Sequence, residues 1–116
     1  MIARFFAHGA GERLLKADTV RREWMFTLAM TAREALDLDT DEMVMVQGSI
    51  DCCFIEDGRW ILIDYKTDRD EGDDALRARY APQLRLYRIA LERITSVPVH
   101  EAMLCLVRAG RDIPLI

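Results

Sequence analysis

The stretch Met43 to Lys66 reads MVMVQGSIDCCFIEDGRWILIDYK. Two β-prone runs, 43–56 and 59–65, flank Asp57-Gly58. Asp-Gly is among the strongest short hairpin signals, because a type I′ turn needs positive φ at both central residues. A two-residue loop then fixes the antiparallel register by subtraction: Glu56 pairs with Arg59, Ile55 with Trp60, Phe54 with Ile61 and Cys52 with Ile63. One step further inward, Asp51 stands opposite Asp64. Directly opposed residues share a face, with Cβ atoms roughly 4.5–5.5 Å apart, and Lys66, two residues beyond Asp64, shares it too. Two carboxylates and an ammonium therefore converge.

Opposed like charges destabilise a hairpin, and burial raises a carboxylate pKa unless something positive compensates. A divalent cation would do so. Mg²⁺ prefers oxygen ligands and commonly takes one or two carboxylates while keeping waters and substrate phosphate oxygens. The alternative is structural, with Lys66 and a nearby arginine neutralising two aspartates on a solvated sheet face. The expected apolar face of the hairpin carries Ile50, Cys52, Phe54, Ile61, Ile63 and Tyr65, and the other Gln47, Ser49, Asp51, Asp64 and Lys66. A slip or bulge of one residue would separate the aspartates.

The chain has 116 residues, 51% of them hydrophobic and 31% charged, which suits a single soluble globular domain over 1–116. No apolar run approaches the length of a membrane helix, and Arg4, His8 and Glu12 interrupt the N-terminal apolar residues, so a cytoplasmic setting is expected. Three cysteines form no disulfide framework, and two histidines, His8 and His100, give no zinc constellation. A net charge of −4 argues against a free-standing DNA-binding domain, because nonspecific affinity comes mainly from Lys and Arg on phosphates. A metal site needs local acidity, so a nuclease is compatible with this charge if a larger assembly brings the DNA.

Around the hairpin, residues 2 to about 17 suggest a short helix broken near Gly9-Ala10-Gly11, and 20–30 a strand entering the same sheet. The acidic stretch 37–42 reads as a loop. Residues 69–74 read as a connection, with Asp73 or Asp74 capping the next helix. Tyr80, Leu84, Tyr87, Leu91 and Ile94 recur at helical spacing, a buried stripe. Pro82 leaves three options: a short helix before it, one kinked helix from near Asp74, or a helix whose first turn holds it. Ser96-Val97-Pro98 ends the helix, and 99–107 gives a last strand, parallel to the one bearing Asp64 if the crossover is right-handed. The expected order is α-β-β-β-α-β. Arg77, Arg79, Arg85, Arg88 and Arg93 read as the helix's solvated face, Tyr80 and Leu84 as core, and the methionines as gap-fillers.

The motifs VQGSIDCCF, ILIDYKTDR, YAPQLRLYRIALERI and PVHEAMLCLV, in this order, closely resemble the C-terminal nuclease domain of RecB-type enzymes. These belong to the PD-(D/E)XK superfamily, and the nearest likeness is to the A subunits of bacterial AddAB helicase-nucleases. The resemblance implies a restriction-endonuclease-like α/β core, a mixed sheet flanked by helices. It implies Asp51 and Asp64 as metal-binding carboxylates, the Tyr65 carbonyl as a further metal ligand and Lys66 as the catalytic lysine. It also implies Gln83 and Tyr87 as active-site residues on the following helix, where a spacing of four puts them on one face. Mg²⁺, with Mn²⁺ able to substitute, is the implied cofactor. The implied partners are DNA ends, an attached helicase and, in the full complex, a B-type subunit. The chain would be a C-terminal part of a longer polypeptide.

RecB-type nucleases usually add a histidine in a Gly-x-x-x-His setting upstream, and no such segment occurs here. His8, in RFFAHGAGERLL, is the available histidine; the other reading makes it a surface residue. Glu23 matches a glutamate common before the first strand of the group, but pairing with Arg21 or Arg22 explains it as well. The expected function is metal-dependent exonuclease action in double-strand-break processing. The alternative is a non-catalytic module of the same fold that binds DNA or a partner subunit.

Overall fold

A computed structural model describes residues 9–115. His8 and the first residues of the expected N-terminal helix lie outside this range. The elements in chain order are α1 (Ala10–Lys16), β1 (Val20–Thr31), α2 (Ala32–Leu36), β2 (Met43–Glu56), β3 (Arg59–Lys66), α3 (Asp73–Thr95), β4 (Val99–Leu106) and β5 (Arg111–Pro114). They form one five-stranded mixed sheet in the order β1-β2-β3-β4-β5 with helices on its faces. The α-β-β-β-α-β core holds, and β3 and β4 pair in parallel while the other neighbours are antiparallel.

The hairpin register is the expected one, from Glu56–Arg59 to Cys52–Ile63. Asp57 and Gly58 both take positive φ, 53° and 76°, as a type I′ turn demands. The ladder stops at Cys52–Ile63, and from there β2 stays with β1 while β3 stays with β4.

The two faces of β2 differ from those that simple alternation predicts. Ile50 packs with Cys53, Leu62 and Trp60 beneath α3, whereas Cys52, Phe54, Ile61 and Ile63 form the opposite cluster with Leu14 of α1. On β1, Val20 packs in the α1 cluster and Trp24 and Phe26 in the α3 cluster. Both strands thus exchange faces at the unpaired couple Glu23 and Asp51, between the pairs Arg22–Cys52 and Trp24–Ile50. Glu23 has φ 49°, uncommon for a residue with a long side chain. One consequence is that exposed Gln47 and Ser49 alternate with the α3-facing Gly48 and Ile50, so they do not share the face of Asp64 and Lys66.

The stripe on α3 begins one turn earlier than expected. Leu76, Leu84 and Leu91 are buried with Tyr80 and Tyr87 beside them, while Ile94 is 43% exposed. A single helix spans the segment with an exposed Pro82 inside it. Neither Asp73 nor Asp74 caps it: Gly72, at φ 97°, is the N-cap residue, and the two aspartates occupy the first turn. Ser96 ends it in the left-handed conformation.

Two elements go beyond what the sequence predicts. α2 is a single turn with a full capping box, in which the Thr31 hydroxyl accepts from Glu34 N–H and Glu34 accepts from Thr31 N–H. β5 closes the sheet edge, and its Asp112 accepts a hydrogen bond from Ala10 N–H at 2.9 Å, capping α1 from the far end of the chain. Gly9 leaves room for that carboxylate, since a Cβ there would lie 2.3 Å from Asp112 Oδ2. Arg13 of α1 holds Glu56 through two bonds, 2.9 and 2.6 Å, and Glu101 through two more. This fork-to-carboxylate geometry fastens α1 to the hairpin and β4 together.

Candidate active site

Where β2 and β3 part, one edge of each strand loses its ladder partner, and polar side chains take over. Asp51 Oδ2 accepts from the backbone N–H of Tyr65 at 2.9 Å, so a carboxylate bridges the gap beyond the last strand pair. Asp64 is 4% exposed, the one buried charged residue among those described. It shares its β3 face with Trp60 and Leu62, under α3, and Lys66 follows on the same face.

Four side chains form a chain across the sheet and helix. Lys66 Nζ lies 3.0 Å from Asp64 Oδ2, and donates to Gln83 Oε1 at 3.4 Å. Gln83 Nε2 donates to the Tyr87 hydroxyl at 3.0 Å. Tyr87 stands edge-on to Phe26, ring centres 5.6 Å apart. That packing depends on Gly48, where a Cβ would come within 2.8 Å of both rings. The structure thus brings Asp51, Asp64, Lys66, Gln83 and Tyr87 together, with Tyr65 contributing its backbone N–H while its side chain packs on the α1 face.

Burial pushes Asp64 up to about 6; Lys66 pulls it down, and the neighbouring Asp51 carboxyl pushes it further up. Burial opposes the charge on Lys66 too, but Asp64, helped by Tyr80 and Asp51, more than offsets this and leaves its pKa raised. The pair is therefore drawn into ionisation by each other and resisted by the apolar surroundings.

Asp64 Oδ2 is buried, and the ammonium of Lys66, 3.0 Å away, is the positive group it faces. One ammonium beside two carboxylates leaves the site with excess negative charge. An oxygen-seeking cation such as Mg²⁺ or Mn²⁺ would balance it. No group of three or more His, Cys, Asp or Glu placed to hold a metal ion occurs among the described residues. Two carboxylates suit a hard cation that keeps most of its own waters.

Tyr80, expected from its spacing to lie in the core, packs half-buried against the α3 cluster and also faces Lys66. Its ring lies 4.2 Å from Lys66 Nζ, and its hydroxyl donates to Asp68 Oδ2 at 2.7 Å. The signal is present in the spacing: 80, 83 and 87 fall on one helix face. The arginines of α3 largely serve ion pairs. Arg79 bonds Asp68 and Glu71, Arg88 pairs with Glu92, and Arg93 reaches Glu34 of α2.

A family model described as the PD-(D/E)XK nuclease superfamily matches residues 2–112. The chain is 41% identical over 125 residues to the ATP-dependent helicase/nuclease A subunit of Bacillus pumilus (strain SAFR-032), an alignment that takes in 98% of this chain and 10% of that protein. It is 46% identical over 114 residues to the protein of the same name from Desulforudis audaxviator (strain MP104C), 94% of this chain and 9% of that one. Heliobacterium modesticaldum (strain ATCC 51547 / Ice1) has another, 41% identical over 123 residues. The chain spans about a tenth of the length of these curated relatives.

Proposed function

Because the chain belongs to the PD-(D/E)XK nuclease superfamily, we propose that residues 1–116 are the metal-dependent DNA nuclease domain of a longer helicase-nuclease polypeptide. Nucleases of this superfamily generally use divalent metal ions, and Mg²⁺, with Mn²⁺ able to substitute, is the cofactor proposed here. Asp51 and Asp64 hold it, with the Tyr65 carbonyl as a further ligand. The observation that carries the reading is the buried Asp64 carboxylate, its pKa raised, set beside a second carboxylate and paired with one lysine.

A divalent cation held there would supply Lewis acidity toward a phosphodiester and a more acidic water. The chain's own residues do the rest. Lys66, held charged by Asp64, stabilises the negative charge that develops on the phosphoryl oxygens or orients the attacking water. Gln83 fixes the Lys66 ammonium from the helix side, and Tyr87 fixes Gln83.

The relatives are named as parts of ATP-dependent helicase/nucleases, and the proposal extends this setting to the chain. It acts as an exonuclease on DNA ends at double-strand breaks, in the cytoplasm, beside an attached helicase and a B-type subunit. With a net charge of −4, it relies on those parts to bring the strand to the site, and alone it cleaves poorly. One observation favours a second reading, a non-catalytic module that binds DNA or a partner: the described residues offer two acidic ligands and no third. The deciding assay is Mg²⁺-dependent cleavage of linear DNA by the polypeptide carrying this chain. Lys66→Ala is expected to reduce the rate by roughly 10²–10³-fold with the fold intact. Undiminished cleavage by a folded Lys66→Ala protein rejects the assignment.

A further inference from the structure

We propose that Tyr80 is a positioning residue for Lys66, its ring face forming the third wall of a cradle that aims the ammonium at the site between the two aspartates. A lysine carries a compact charge on a flexible stem with several rotatable bonds, so one ion-pair partner does not fix where the charge points. Lys66 Nζ has three neighbours, one on its own strand and two on α3: Asp64 Oδ2 at 3.0 Å, Gln83 Oε1 at 3.4 Å and the Tyr80 ring centre at 4.2 Å. The last lies well inside the range in which the negative face of an aromatic ring attracts a cation.

The ring is itself held. Its hydroxyl donates to Asp68 Oδ2 at 2.7 Å, and Arg79 reaches the same oxygen at 3.0 Å. Asp68 sits two residues after Lys66, so the strand end, the following loop and the first half of α3 form a closed circuit: Lys66 to Tyr80, Tyr80 to Asp68, and Asp68 back along the backbone to Lys66. The anchors differ in chemistry. Asp64 and Gln83 offer oxygens that a bound cation or phosphate would compete for, whereas a ring face offers no oxygen ligand and keeps its grip on the ammonium when Asp64 turns to a metal.

The chain has two lysines, Lys16 and Lys66, so selective lysine labelling yields a two-signal NMR spectrum. The Lys66 ε-methylene is expected upfield of Lys16 through the Tyr80 ring current. Tyr80→Phe, which keeps the ring and loses the Asp68 bond, retains that shift, and Tyr80→Leu abolishes it. The kinetic arm alone rests on the nuclease reading. In the polypeptide carrying the chain, Tyr80→Leu lowers kcat about tenfold with KM and Mn²⁺ affinity unchanged, and Tyr80→Phe restores most of it. A wild-type Lys66 signal without the upfield shift overturns the inference even if Tyr80→Leu fails to fold. So does a folded Tyr80→Leu protein that cleaves at the wild-type rate. A wild type that shows the shift and cleaves no DNA supports the cradle and counts against the nuclease reading.

Discussion

The Asp51 carboxylate accepts the Tyr65 backbone N–H at 2.9 Å, at the point where the β2–β3 ladder has ended. A side chain thus does what a neighbouring strand's carbonyl does elsewhere in the sheet. One Asp51 oxygen is committed to the backbone, and the carboxylate is fixed beside Asp64, whose pKa it raises.

Asp51 therefore has a structural role beside the metal-binding one proposed for it, and two substitutions separate the two. Asp51→Ala leaves the Tyr65 N–H without its acceptor and is expected to cost about 1–3 kcal/mol. Asp51→Asn keeps an acceptor oxygen and removes the repulsion on Asp64, so stability in chelator stays within about 1 kcal/mol of wild type. Thermal melts with EDTA and with Mn²⁺ check this: the wild type gains stability with Mn²⁺, and Asp51→Asn loses most of that gain.

Asp64 sets a pH dependence of unusual sign. Its pKa is raised from the ordinary carboxylate range to about 6 by burial. The folded state therefore binds more protons than the unfolded chain between about pH 4 and 6, and metal-free stability falls as pH rises through that window, by about 2–3 kcal/mol. Urea melts from pH 4 to 7 in EDTA, subtracting the same series for Asp64→Asn, isolate the effect. Divalent-cation binding competes with the same proton, so Mn²⁺ affinity rises over this window.

Gly48 is required by the ring packing that holds Tyr87 against Gln83. A Cβ there lies 2.7 Å from the Phe26 ring and 2.8 Å from Tyr87. Gly48→Ala is expected to destabilise by roughly 1–3 kcal/mol and to displace the Tyr87 hydroxyl from Gln83. A crystal structure of the variant and its unfolding midpoint give both readouts.

Asp112 caps α1 from β5, so its loss should be felt in the cluster α1 covers. Asp112→Ala is expected to cost about 1 kcal/mol, the value of an N-cap side chain. Maleimide labelling is expected to accelerate at Cys52 and Cys105, buried with Leu14 of α1, and not at Cys53, which packs under α3.

The chain's local chemistry determined a good deal by itself. Asp57-Gly58 determined the hairpin and, by counting, the register from Glu56–Arg59 to Cys52–Ile63, because a two-residue turn permits one set of pairs. The helical stripe determined α3, and Ser96-Val97-Pro98 its end. The spacing of Gln83 and Tyr87 put both on one helix face, and packing brought that face to Lys66. What the tertiary structure alone decided is where alternation breaks. No Gly or Pro marks Glu23 or Asp51, and Cys52, Cys53 and Phe54 are all buried, so the period-two signal vanishes where both strands exchange faces. Alternation alone puts Ile50, Gln47 and Ser49 on the wrong sides for that reason. α2, a single turn, and β5, four residues long, are too short for a periodic pattern to accumulate. Tyr80 under Lys66 and Asp112 on α1 are contacts between residues far apart in sequence or on different elements, and their partners exist only once the sheet and helices have packed.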